Sequence, residues 1–180
     1  MPDAITTLKD DHQRVEKLFK EYEDTTDRAI KTRQRLVDEI TELLSVHAEI
    51  EELVLYPAAR ALSDDADATA LERLEEHHLV KVVLAELQKL DPEDERFHPK
   101  VQVLIENVRH HVEEEETELF PELRAAFGRN DMKELGEAME KARSWVPTRP
   151  HPGAPDEPPA NAVLGLVTGL VDRVRSRVGV

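Results

Sequence analysis

Two stretches of the chain set a histidine and a glutamate one helical turn apart: HAEIEELVLYP at 47–57 and HVEEEETELFP at 111–121. Laid over one another, His47 falls on His111, Glu51 on Glu115, Tyr56 on Phe120 and Pro57 on Pro121. Imidazole nitrogens and carboxylate oxygens on one helix face are donors for metal ions such as iron, manganese or zinc. The chain has no cysteine, so thiolate ligands, thiol catalysis and disulfides are all excluded.

Two more histidines join them by position. Neighbouring helix residues differ by about 100°, whereas residues seven apart differ by only about 20°. His77 shares a stripe with Val80 and Leu84, and His111 with Leu104 and Val108, while His78 and His110 are turned off it. His12 lies between Leu8 and Val15. The inward set is therefore His12, His47, His77 and His111, with Glu51 and Glu115 one turn beyond two of them.

A lone histidine on an apolar face is ordinarily a satisfied core residue. Six such groups together are another matter, because each unpaired buried carboxylate costs several kcal/mol. Hydrogen bonds among themselves satisfy two or three; a pair of cations satisfies all. Six donors also exceed the four of a structural zinc site. Two metals bridged by Glu51 and Glu115, each with two histidine nitrogens, leave positions for an oxo or hydroxo bridge and a small molecule.

The elements that must position these groups are helical. Leu8, His12, Val15, Phe19 and Tyr22 predict a first helix over about 4–23. A second opens from a cap at Thr25 or Thr26 and weakens at Pro57. SDDADAT reads as a loop before the third, and Pro99 suits the first turn of the fourth, which Gly128 ends. A shorter fifth helix spans about 131–145. The fold class is all-α, an up-and-down four-helix bundle with this fifth helix appended. Counting along the hairpins at 1.5 Å per residue brings the histidines of the second and third helices level to within about 6 Å, and those of the third and fourth to within about 3 Å. The first hairpin misses by about 13 Å, so the second helix overhangs the first or starts later than its cap.

Residues 1–146 are expected to form this bundle, 147–160 a proline-rich linker, and 161–180 an amphipathic C-terminal helix. That last helix has three arginines against one acid and no aromatic, which favours docking on its own bundle or on a second chain over a membrane surface. A net charge of −15 argues against nucleic acid as a partner. There is no run of about 18 apolar residues to span a membrane, and no secretory signal at the N-terminus, so the expected location is cytoplasmic.

The chain resembles the hemerythrin-like family, also called the HHE cation-binding domain. The residues that carry the resemblance are Asp11-His12, HAEIE with His47 and Glu51, Glu76-His77, HVEEE with His111 and Glu115, and the LYP and LFP endings. It covers about residues 4–127 and implies a four-helix bundle around a non-haem di-iron centre that meets O₂, hydrogen peroxide or nitric oxide. Oxygen-carrying members use a fifth histidine one turn along the third helix, where this chain has Lys81 after His77 and Arg73 before it. The four-histidine, two-glutamate set implies redox chemistry on peroxide or nitric oxide, with catalase-like turnover, over reversible oxygen carriage. The alternative is an iron- or oxygen-responsive sensor signalling through its tail. A ferritin-like oxidase is excluded, because its Glu-x-x-His pairs would need Glu95-x-x-His98, which lies in a loop. His98 and His151 read as surface residues, Tyr22 and Tyr56 as core or rim, and the glutamates around Glu115 as a solvated face.

Overall fold

The structure, a computed structural model, describes residues 2–153 together with 169 and 172. Apart from those two positions, the C-terminal helix expected over 161–180 lies outside the described residues.

Helix α1 runs Ala4–Glu23, as its periodicity predicts, and the Asp3 carboxylate caps it by accepting the Thr6 N–H at 2.9 Å. Helix α2 runs Ile30–Ile50 and begins later than a cap at Thr25 or Thr26 would have it. Thr25 instead closes α1, its hydroxyl donating to the Tyr22 carbonyl at 2.6 Å. The late start reduces the mismatch that counting exposed from about 13 Å to about 9 Å at 1.5 Å per residue, and α2 overhangs α1 for the rest.

Pro57 and Pro121 do not break their helices. Each is preceded by one π-helical turn, Glu51–Leu55 and Glu115–Leu119, in which Tyr56 N–H donates to Glu51 O and Phe120 N–H to Glu115 O. Proline lacks a donor and crowds the carbonyl one turn back, so the turn before it widens. The chain then continues as α3, Tyr56–Arg60, and further on as α6, Phe120–Ala126.

Helix α4, Asp64–Leu87, takes up most of the SDDADAT stretch expected as loop. Ser63 caps it by accepting the Ala66 N–H, and Asp64, Asp65 and Asp67 lie at its positive end. Helix α5 is Phe97–Glu114 and α7 is Arg129–Arg143. Gly128 does not end the fourth helix, which stops at Ala126; it opens α7, its N–H donating to Asp131 Oδ2 at 3.1 Å.

The four long helices close a ring of contacts, α1 on α2, α2 on α4, α4 on α5 and α5 on α1. Their interior is split into two apolar cores. One gathers Ile5, Leu8, Ile50, Tyr56, Phe120 and residues of α7; the other gathers Val15, Phe19, Leu36, Leu84 and Leu104. Between Leu8 and Val15 lies His12, and between Val108 and Leu119 lie His111 and Glu115, so a polar layer separates the cores. Helix α7 packs on α1, on α2 and on the turn Glu51–Leu55. A Cβ at Gly136 would stand 2.7 Å from the Pro2 carbonyl oxygen, so only glycine permits this approach. No described helix is long and apolar enough to cross a membrane.

Candidate metal centre

The ring of helices brings all six sequence-predicted residues into the polar layer, and none is more than 6% exposed. Glu51 Oε2 lies 3.2 Å from His47 Nε2 and 3.3 Å from His77 Nε2. Glu115 Oε2 lies 3.4 Å from His12 Nε2, and the Nε2 atoms of His77 and His111 are 3.2 Å apart. Two groups of donors result, His12–His47–Glu51–Glu115 and Glu51–His77–His111, each with its ligand atoms within 4.8 Å of one another. Glu51 belongs to both, whereas Glu115 joins the first, a less symmetrical sharing than the spacing suggested.

The donor set fits a cation, since both oxygens of Glu51, both of Glu115 and Nε2 of His12 are buried without a hydrogen-bond partner. Two carboxylates left so between apolar cores would be strongly destabilising on their own. Burial, followed by the charge of Glu115, pushes the Glu51 carboxyl well up. Burial works against Glu115 too, but the nearby His12, His111 and His47 outweigh it and hold Glu115 down. Burial also drives His77 well below the usual histidine value and lowers His47, which keeps both neutral and able to donate a lone pair.

What the spacing did not reveal is a second circle of residues. His12 Nδ1 meets Glu116 Oε1 at 2.9 Å, His77 Nδ1 meets Glu52 Oε1 at 3.0 Å, and His111 Nδ1 meets Glu76 Oε2 at 2.7 Å. His47 Nδ1 faces Asp11 Oδ2 at 3.7 Å. With a carboxylate at Nδ1, the proton sits there and Nε2 turns its lone pair inward. The acids pass round the ring: Asp11 of α1 serves α2, Glu52 after α2 serves α4, Glu76 of α4 serves α5, and Glu116 after α5 serves α1.

Each acid is held in turn by a cation. Lys9 Nζ donates to Glu116 at 2.7 Å, Lys81 Nζ to Glu52 at 2.6 Å, Arg73 Nη1 to Glu76 at 2.9 Å, and Arg143 Nη2 to Asp11 at 2.6 Å. Lys81 and Arg73 are buried, and each serves one of these acids. The solvated-face reading of the glutamate run fails for Glu116 and for Glu114, which accepts from Arg73. Tyr56, read as core or rim, is fully buried, with its hydroxyl 3.2 Å from His77 Nε2. Asp11 and Glu76 sit inside the Asp-His and Glu-His pairs, but a neighbour in sequence could not be read as partner to another helix's histidine. His110 and His151 are exposed and His78 half-buried, while His98 is half-buried against the Tyr22 ring.

Beside the layer is a cavity of about 20 Å³. Val15, Leu43, Leu44, Ala48, Val80 and Val108 line it together with all four histidines.

The class these features define is a helical bundle with a buried histidine–carboxylate cluster that could hold a metal. Residues 3–123 match the Hemerythrin HHE cation binding domain, and the chain belongs to that family. It is 28% identical to an uncharacterized hemerythrin-like protein of Schizosaccharomyces pombe, over 92% of this chain and 81% of that one. A DNA nickase of Nostoc is also 28% identical over 79% of this chain, which spans only 39% of that relative. The crystal structure of a hemerythrin HHE cation binding domain-containing protein from Mycobacterium kansasii superposes with a TM-score of 0.66 at 24% identity, covering 80% of this chain and 89% of that one. That likeness speaks to the fold.

Proposed function

We propose that His12, His47, His77, His111, Glu51 and Glu115 hold two non-haem iron ions, and that the chain there binds or reacts with O₂, hydrogen peroxide or nitric oxide. The observation that carries this is the set of unpartnered carboxylate oxygens and Nε2 atoms buried between two apolar cores. Two carboxylates and four imidazoles supply more donors than one tetrahedral ion accepts, with no sulfur to favour zinc. When bound, iron would supply the redox couple that decomposition of peroxide requires, and an ion to which nitric oxide can bind.

The chain's own residues do the rest. Glu51 faces both donor groups and holds them together. Glu52, Glu76 and Glu116 fix the orientation of their histidines through Nδ1. The cavity of about 20 Å³ is close to the size of one water, so its apolar lining admits a two- or three-atom molecule and excludes ions and larger substrates. The nicking activity in the Nostoc relative's name is not carried over, because a chain of net charge −15 repels phosphate backbones.

Metal analysis of the purified protein, with an optical spectrum and a peroxide assay, tests the reading. We expect about two irons per chain, more than one four-coordinate site takes, together with near-ultraviolet absorption of a bridged pair and O₂ release from peroxide. One tightly held zinc with no iron would overturn it.

A further inference from the structure

Of the four cation–carboxylate–histidine arms, three are built wholly from the ring. Lys9 lies in α1 and Arg73 and Lys81 in α4. The fourth cation, Arg143, is the last residue of α7, outside the ring. Its Nη2 lies 2.6 Å from Asp11 Oδ2, and that same oxygen stands 3.7 Å from His47 Nδ1. In the other arms the acid meets its histidine at 2.7–3.0 Å. His47 Nδ1 is buried without a hydrogen bond, so this arm alone of the four is drawn up but not closed. Helix α7 also packs on the turn Glu51–Leu55, and thereby touches the stretch that carries the shared carboxylate.

We propose that Arg143 is a positioning residue for the metal centre, and that docking of the fifth helix α7 is coupled to metal occupancy at His12, His47, Glu51 and Glu115. This rests on the metal reading above. Asp11 has two basic neighbours, Arg143 and the exposed Arg14, whose Nη1 lies 3.3 Å from Oδ1. With α7 docked, Arg143 holds the buried carboxylate in front of His47; with α7 lifted, Arg14 is left to draw it towards solvent. A cation on His47 Nε2 makes Nδ1–H a stronger donor, which tightens its contact with Asp11 and, through Asp11, with Arg143. Coupling of this kind is reciprocal, so whatever fastens α7 raises metal affinity by the factor with which metal fastens α7. An ion pair serving helix docking alone would hold α7 equally with and without metal.

Hydrogen exchange of the full chain, metal-free and loaded with iron(II), reads this directly alongside an affinity titration. Amides of α7 are expected to exchange at least about tenfold more slowly on loading. Arg143→Met should keep its helicity, bind one of the two equivalents about 10–100-fold more weakly, and lose the α7 response; Arg143→Lys should restore part of both. Gly136→Ala pushes the middle of α7 off the N-terminal end of α1, away from every donor, and should weaken binding in the same way. If α7 exchange is unchanged by metal in a wild type that loads normally, or Arg143→Met binds both equivalents as wild type does, the coupling is overturned and the metal reading stands. If Arg143→Met does not fold, the wild-type exchange and Gly136→Ala decide alone. A wild type that takes up no metal overturns both.

Discussion

Glu76 and His111 are joined across two helices, Oε2 to Nδ1 at 2.7 Å, although Glu76 sits next to His77 in sequence. A side chain adjacent to a histidine on a helix points about 100° away from it, so it serves the neighbouring helix. Burial disfavours the Glu76 charge, but His111 and Arg73 together hold its carboxyl down at about 2. Because that value lies below the unfolded one, the stabilisation is present above about pH 4.5 and lost as pH falls towards about 2. Glu76→Gln in the metal-free protein should therefore be less stable by about 1–2 kcal/mol near neutrality and nearly equal to wild type at pH 2. Urea unfolding across that range measures the gap, and a gap that widened in acid would contradict it.

His47→Ala and His111→Ala should strip metal, whereas His78→Ala and His110→Ala should leave it in place. The distinction rests on their burial, His47 and His111 inside the polar layer and His110 exposed on the rim. His98→Ala should keep metal but lose about 1 kcal/mol of stability, since it removes the stacking on Tyr22 and a contact to its hydroxyl. Metal retained by His47→Ala and lost from His78→Ala would reverse the assignment.

Glu51 sets loading against the stability of the metal-free fold. With its carboxyl pushed up, the folded state keeps a proton that the unfolded state releases above about pH 4.5, so this group destabilises the metal-free protein as pH rises. Glu51→Gln should raise metal-free stability by about 1–3 kcal/mol and abolish loading. In the wild type, metal uptake near neutrality should release a proton, which calorimetry in buffers of different ionisation enthalpy detects. Unchanged stability of the variant, or uptake without proton release, would show that Glu51 is already charged.

Val15 lines the cavity from α1 without being a donor. Val15→Ile adds one methyl group to a space of about 20 Å³ and should cost about 1 kcal/mol in strain. Iron content should match wild type, while nitric oxide binding weakens about tenfold or more by titration. Equal small-molecule affinity would mean that the ligand approaches the layer from another side.

Much of the fold was legible because helical periodicity is local: the stripe Leu8, His12, Val15, Phe19 predicts α1 residue for residue. The motifs His47–Glu51 and His111–Glu115 stood out because polar groups on an apolar face need a reason. The sequence alone determined which faces turn inward, and so which six donors meet. Local signals misled where a residue's role is set by the chain on its far side. Thr25 closes a helix that it resembled the start of, and Gly128 opens one that it seemed to end. Only the tertiary structure decided that Glu52, Glu76, Glu116 and Asp11 face the outer nitrogens of histidines on other helices, and that Lys9, Arg73, Lys81 and Arg143 hold them. The physical reason is that these pairings depend on the rotation and height of one helix against the next, which no single helix's periodicity contains, whereas the inward face of each helix is set by its own apolar stripe.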